Sequence, residues 1–205
     1  GKGILSLALS ESLPRGKVIS LEIDQPLAYR LQQGIGKRKN ISIIHLDALR
    51  FDWENLPKGY SVVANLPFQI TSPLLNLWTF QLNNQPESII IMVQKEVAER
   101  LTAEPGSAKR GLTTILVELY GVAEYIQTVP AKAFYPVPKV ESAVIRISKH
   151  QETITSYDNQ KSIIRIAKMG FSAKRRTLLN SLTGSTGLPK NIINDVLISA
   201  RVEPS

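Results

Sequence analysis

The strongest constraint on this chain is an alternation of hydrophobic period within its first hundred residues. Four short β-rich runs, at residues 18–24, 41–47, 61–65 and 88–93, are separated by stretches with helical spacing. The helical stretches fall at 4–11, 26–33, 73–82 and 94–104, and Leu112, Ile115, Leu116 and Leu119 repeat the i, i+3, i+4, i+7 pattern once more. Such alternation builds βαβ units, because two parallel strands need a crossover long enough to hold a helix. Right-handed crossovers then set helices on both faces of the sheet. The expected fold is therefore α/β, a doubly wound and mostly parallel sheet. The run 89–93 is apolar throughout, as for a strand covered on both faces. It is also the longest purely apolar run, far short of the roughly 20 residues of a membrane span.

After residue 147 the pattern changes. Residues 150–159 are polar and read as a linker. Beyond them Ile163, Ala167, Gly170, Phe171, Leu178 and Leu182 recur at helical spacing, and residues 192–200 form a further helix candidate. The expected division is a Rossmann-like domain over 1–150 and a small helical subdomain over 151–205. Charge follows the same division. Residues 1–130 hold 13 basic and 12 acidic side chains, whereas residues 131–205 hold 12 and 5. The excess in the last third suits a polyanionic partner such as nucleic acid, or else a solvated helix face. The absence of cysteine excludes disulfides, thiolate metal sites and thiol chemistry, and two histidines (His45, His150) are too few for a histidine-rich metal site. Both histidines read as structural, and Trp53 and Trp78 as packing residues.

In open α/β sheets, ligands bind beyond the carboxyl ends of the strands. Here those ends are polar: Glu22 and Asp24 on the first run, Asp47 on the second, Asn65 on the third. An acid at such a position accepts hydrogen bonds from ribose hydroxyls, although Asp47 could equally cap a helix. Gly1-Lys2-Gly3 precedes a helix and lies about 20 residues before Glu22, the spacing of a glycine turn beside a nucleoside. By itself a Gly-x-Gly fragment is also a common chain-end remnant. Asn65-Leu66-Pro67-Phe68 is more specific, being the pattern of methyltransferases that act on exocyclic amines of adenine or cytosine. Such an amine delocalises its lone pair into the ring and is a poor nucleophile. The Asn65 side-chain oxygen and the Leu66 carbonyl can accept both amine hydrogens, freeing the lone pair for attack. Pro67 fixes the turn, and Phe68 offers a stacking face for an extruded base.

These blocks and several later ones resemble the small-subunit ribosomal RNA adenine dimethyltransferases, the KsgA/RsmA family. The resemblance includes Asp47-Ala48, Asn65 to Leu75, Val93 to Leu101, Phe134 to Val144 and Arg175 to Leu182, in the family's order. It implies a class I fold dependent on S-adenosyl-L-methionine, with no metal. Gly1 and Gly3 would approach the donor's amino-acid portion, Glu22 its ribose, Asp47 with Ala48 its adenine, and Asn65 would lie between donor and target. Phe68 and Phe134 would sandwich the target adenine. Lys139, Arg146, Lys174, Arg175 and Arg176 would hold RNA, the last three on a helix continuing from Phe171, with Lys161, Arg165 and Lys168 upstream. The implied activity is N6,N6-dimethylation of adjacent adenines near the 3′ end of small-subunit rRNA, during ribosome biogenesis, by a cytoplasmic monomer. Phe68 stands where the family usually has Tyr. The chain opens within the glycine turn and stops within a helical segment, so both domains are expected to be incomplete, the first lacking its opening strand. Two other readings share the scaffold: a large-subunit adenine methyltransferase of the erythromycin-resistance type, and a non-catalytic assembly or transcription factor.

Overall fold

The computed structural model describes residues 1–152, 154–173 and 176–203. They form two compact units. The first comprises Gly1–Tyr60 with Gln81–Gln85, and the second Ser61–Phe80 with the chain from Pro86 onward.

In the first unit, helix α1 (Ile4–Ser12) leads to β1 (Val18–Glu22), α2 (Gln25–Gln33) and β2 (Ile41–His45). Gly3 caps α1 in the left-handed region at φ 77°, where a side chain would be strained, and its carbonyl accepts from the Leu7 N–H at 2.9 Å. Asp24 caps α2 by accepting from the Leu27 N–H at 2.8 Å, with Pro26 in the first turn. β1 and β2 pair in parallel from Val18 opposite Ile41 to Glu22 opposite His45, so both polar ends share one edge. At the other end Asn40 bonds α1 through Ser10, accepting from its hydroxyl at 2.7 Å and donating to its carbonyl at 3.0 Å. Trp53 is a packing residue as expected. It is 8% exposed, stands 5.0 Å from Phe51 and 6.1 Å from Tyr60 between ring centres, and donates its indole N–H to the Ala48 carbonyl.

In the second unit β3 (Ser61–Asn65), α3 (Phe68–Asn76), β4 (Ser88–Gln94), α4 (Lys95–Leu101) and α5 (Leu112–Tyr120) precede β5 (Gly121–Val129) and β6 (Ser142–Lys149). The sheet order is β3-β4-β6-β5. The β3–β4 pair is parallel, while β4–β6 and β6–β5 are antiparallel. The expected common strand direction holds for β3, β4 and β5, and the departure is one reversed strand, β6, inserted between β4 and β5. β5 and β6 form an antiparallel pair that βαβ alternation does not announce. The core follows the strand period: Ile89, Ile91 and Val93 face Ile147, Ile145 and Ala143 across the ladder, each at most 1% exposed. Residues Ser88, Ile90, Met92 and Gln94 are half-buried, so β4 is sealed on one face and only partly covered on the other. Leu74, Leu75 and Trp78, together with Leu116 and Val117 of α5, complete the buried set.

Helix α3 begins at Phe68, five residues before the expected start, and carries Pro73 inside it. Proline is favoured at a helix start, but here its missing N–H leaves the helix ladder one bond short within the element. A π-helical turn, Leu77–Gln81, follows. Three further helices complete the unit: α6 (Tyr157–Gly170), α7 (Leu178–Thr186) and α8 (Lys190–Ser199). Leu182, Ile193 and Leu197 form a small core, with Met169, Leu178 and Leu179 packed against it.

Candidate active site

The register of the second unit decides what meets at the edge that carries Asn65. Asn65 pairs with Met92, Gln94 with Ser142, and Ser142 with Val129. The carboxyl ends of β3, β4 and β5 and the start of β6 thus share one edge. Two connections leave from it: the Asn65-Leu66-Pro67-Phe68 turn into α3, and the segment between β5 and β6 that carries Phe134. Phe68 and Phe134, expected from the sequence to cooperate, leave from the same edge of the sheet, on connections with β4 between them.

The turn is anchored from below. The Leu66 N–H extends the β3–β4 ladder by donating to the Met92 carbonyl at 3.2 Å, and its side chain is 6% exposed. The Pro67 carbonyl accepts from the Ile70 N–H at 3.2 Å and from the Thr71 hydroxyl at 3.1 Å. Thr71 is 4% exposed, and its role was missed in the sequence although the four-residue spacing from Pro67 is that of a hydroxyl-to-carbonyl bond within a helix. Asn65 and Phe68, by contrast, are exposed. The Asn65 amide makes no hydrogen bond among the described residues, so its oxygen is free to accept from a ligand.

The segment bearing Phe134 is also tied down. Ala131–Ala133 forms a short 3-10 turn, with Ala133 and Phe134 donating to the carbonyls of Pro130 and Ala131 at 3.0 and 3.1 Å. At its far end Glu141 accepts from the Lys95 N–H through its carbonyl (3.0 Å) and from the Lys95 ammonium through its carboxylate (2.7 Å). The hydrogen bond and charge of Glu141 push the Lys95 pKa up. Sequence reasoning noted both blocks without seeing that they clamp each other.

The first unit holds the residues expected to bind the donor. Glu22 ends β1 and is partly buried. Its carboxylate accepts from the Asp24 N–H at 3.1 Å. Asp47 caps a 3-10 turn, Ala48–Arg50, through one oxygen bonded to the Leu49 N–H at 2.9 Å. The capping alternative is therefore real, and the second oxygen is left for a ligand. A Cβ at Gly3 would press on the side-chain ends of Ile35 at 2.6 Å and Leu31 at 2.7 Å, and the left-handed φ of 77° disfavours any side chain there. Gly1 is exposed, and Ala48 is half-buried beside Asp47. An acceptor at each strand end and a glycine opening a helix are the donor set that a nucleoside with a charged amino-acid tail requires.

His45 and His150 are structural, their ring nitrogens bonded to the carbonyls of Ile23 (3.0 Å) and Glu118 (2.9 Å). Of the expected RNA contacts, Lys139 is exposed and unpaired among the described residues. Arg146 is exposed but bonded to Glu124 on the neighbouring strand at 2.7 Å. Lys174 and Arg175 lie outside the described residues. Arg176 is exposed, but not on a helix continuing from Phe171. α6 stops at Gly170, a poor helix former, and α7 starts anew where the Thr177 hydroxyl accepts from the Asn180 N–H. Lys161, Arg165 and Lys168 do share one exposed helix, α6.

Comparison with known proteins agrees with this arrangement. The family model for ribosomal RNA adenine dimethylase matches residues 1–203. A protein of Dehalococcoides mccartyi named ribosomal RNA small subunit methyltransferase A is 36% identical over 211 residues, covering 100% of this chain and 70% of that protein. Its namesake from Lysinibacillus sphaericus is 37% identical, covering 97% and 71%. Among solved structures, a dimethyladenosine transferase from Plasmodium falciparum superposes with a TM-score of 0.75 at 25% identity, covering 100% of this chain and 73% of that one. The 23S rRNA methyltransferase ErmE superposes at 0.74 and 24% identity, covering 100% and 80%, a likeness of fold. Both neighbours carry the Rossmann-like class I architecture anticipated from the strand and helix alternation. With a family match along nearly its whole length and an exposed Asn65 on an anchored turn, the chain belongs to the ribosomal RNA adenine dimethylase family.

Proposed function

We propose that this chain transfers methyl groups from S-adenosyl-L-methionine to N6 of adjacent adenines near the 3′ end of small-subunit rRNA, during assembly of that subunit. The carrying observation is the Asn65–Phe68 turn. An unpartnered amide oxygen and an exposed ring stand on a strand end fixed by Leu66, Pro67 and Thr71. The names of the relatives support the small subunit as substrate.

S-adenosyl-L-methionine, when bound, supplies an electrophilic methyl group on a sulfonium sulfur. Glu22 accepts its ribose hydroxyls, the free oxygen of Asp47 accepts its adenine amine beside Ala48, and the backbone at Gly1 and Gly3 admits its amino-acid end. Phe68 and Phe134 hold the extruded target base between them, offsetting the few kcal/mol that extrusion costs. In the first transfer Asn65 and the Leu66 carbonyl would accept the two N6 hydrogens and in the second one of them would accept the remaining hydrogen, leaving the nitrogen lone pair free for attack; each transfer trades an S–CH3 bond for an N–CH3 bond, releasing the thioether and one N6 proton to water. Most of the acceleration comes from alignment of the two reactants, and no metal takes part.

RNA is held mainly by residues 151–205, Arg176 among them, acting as a basic subdomain beside the methyltransferase domain of 1–150, with Lys139 and Arg146 flanking the Phe134 segment. Lys174 and Arg175 add two further cations to that subdomain's sequence. The protein works as a monomer in the cytoplasm. Among the described residues no helix is long and apolar enough to cross a membrane. The deciding experiment incubates purified protein with labelled donor and immature small or large subunits and maps the modified base. Label on adjacent small-subunit adenines supports the proposal. Label on large-subunit adenine favours the erythromycin-resistance type, and binding without label favours an assembly factor.

A further inference from the structure

Tyr135 is 99% exposed, more than any other large apolar or aromatic side chain among the described residues. Its ring takes part in no hydrogen bond or ring contact among them. An aromatic side chain left wholly in water forfeits a large burial gain. This one is also held there by an ordered segment. Pro130, Pro136 and Pro138 fix φ around it, the 3-10 turn secures one side, and the Lys95–Glu141 clamp secures the other.

Its place is as informative as its exposure. The segment stands at the edge that also carries Asn65 and Phe68. Phe134 has extended backbone, φ −116° and ψ 153°, and in extended chain successive side chains take opposite sides. Phe134 is half-buried and Tyr135 fully exposed, so the two rings do not serve the same base. Lys132 and Lys139 flank Tyr135, both exposed, and Val137 (64%) and Val140 (43%) prolong the apolar surface. An aromatic face between two cations, with apolar neighbours, is the chemistry that receives an unpaired nucleobase while its phosphates are neutralised.

We propose that Tyr135 stacks on the unpaired RNA base adjacent to the target adenine, outside the pocket formed by Phe68 and Phe134. The inference rests on the adenine-methyltransferase reading and adds a second base-binding position to it. Extruding a target base leaves its neighbour without a stacking partner on one side. Tyr135 supplies that partner and thereby favours single-stranded or loop RNA over duplex.

The test uses the whole chain with S-adenosyl-L-methionine and an RNA hairpin whose loop carries two adjacent adenines followed by 2-aminopurine. Binding to the wild-type protein should quench the 2-aminopurine through stacking. Tyr135→Ala should lose the quenching and weaken RNA binding roughly 10-fold, in the range of a lost base–aromatic stack, with an unchanged Tm. Tyr135→Phe and Tyr135→Trp should restore both. Affinity and quenching unchanged in Tyr135→Ala, while wild type methylates the hairpin or small subunits, overturn this inference alone. So does a loss in Tyr135→Phe equal to that in Tyr135→Ala. A wild-type protein that methylates adenine in neither RNA overturns the underlying reading, and this inference with it.

Discussion

Replacing Asn65 by alanine removes one of the two acceptors proposed for the adenine N6 hydrogens and nothing that the fold uses. The residue is exposed, and its amide bonds to no described neighbour. Its backbone position opposite Met92 and the following ladder bond from Leu66 survive the change. The stability cost should therefore stay within about 0.5 kcal/mol, as for other surface substitutions. The chemical cost is of another order. Removing one aligned hydrogen-bond partner of a reacting group costs about 3 kcal/mol in well-studied sites, which at about 1.4 kcal/mol per decade is a rate loss of over 100-fold. The assay is single-turnover transfer of labelled methyl to small-subunit adenines, run beside equilibrium RNA binding and urea unfolding. Transfer should fall by two decades or more while RNA affinity and unfolding midpoint hold. Equal losses of transfer and RNA affinity, or a transfer loss below 10-fold, would refute the acceptor role.

Other consequences can be checked as readily. Thr71→Val keeps the volume beneath the catalytic turn but removes the hydroxyl bonded to Pro67; it should lower kcat more than it raises KM for RNA, with Thr71→Ser restoring kcat. Leu74→Ala, at a position of α3 that is 0% exposed, should destabilise the fold by about 2–5 kcal/mol in chemical denaturation. Alanine at Lys161, Arg165 and Lys168 together should flatten the salt dependence of RNA binding by about 0.9 unit of log–log slope for each phosphate no longer neutralised, and an unchanged slope would remove α6 from the RNA surface. The backbone N–H groups of Asn83 and Asn84 hold the Glu54 carboxyl below its ordinary pKa of 4.5. A lowered folded-state pKa stabilises at neutral pH, and the contribution disappears as pH falls through and below that value. Urea unfolding should therefore show Glu54→Gln weakened at pH 7, with the difference from wild type shrinking as pH falls below 4.5.

The sequence announced features whose physics is local and left out those that depend on distant partners. The ends of β1, β2 and β3 were legible because a polar side chain interrupts each β-branched run, and α2 because Asp24 and Pro26 are start signals. The β5–β6 pair was not. β5 exposes Val122, Glu124, Tyr125 and Ile126 on a sheet edge, so its apolar pattern carries little information, and its pairing needs a partner beyond a 12-residue connection. Pro73 misled in the opposite direction, since a proline marks a helix start far more often than a helix interior. Arg176 read as helical because charge carries no period, whereas it stands between the end of α6 at Gly170 and the Thr177 cap of α7. The same distinction applies to the site. Asn65-Leu66-Pro67-Phe68 was legible because its chemistry lies within four consecutive residues. The anchoring by Thr71 and the clamp between Lys95 and Glu141 were not, because a hydroxyl's acceptor and an ion's partner are fixed only when the sheet register is known. Register also gives Tyr135 its meaning: in the sequence it is one aromatic among several, and only the pairing of Ser142 with both Gln94 and Val129 brings it to the edge where Asn65 stands.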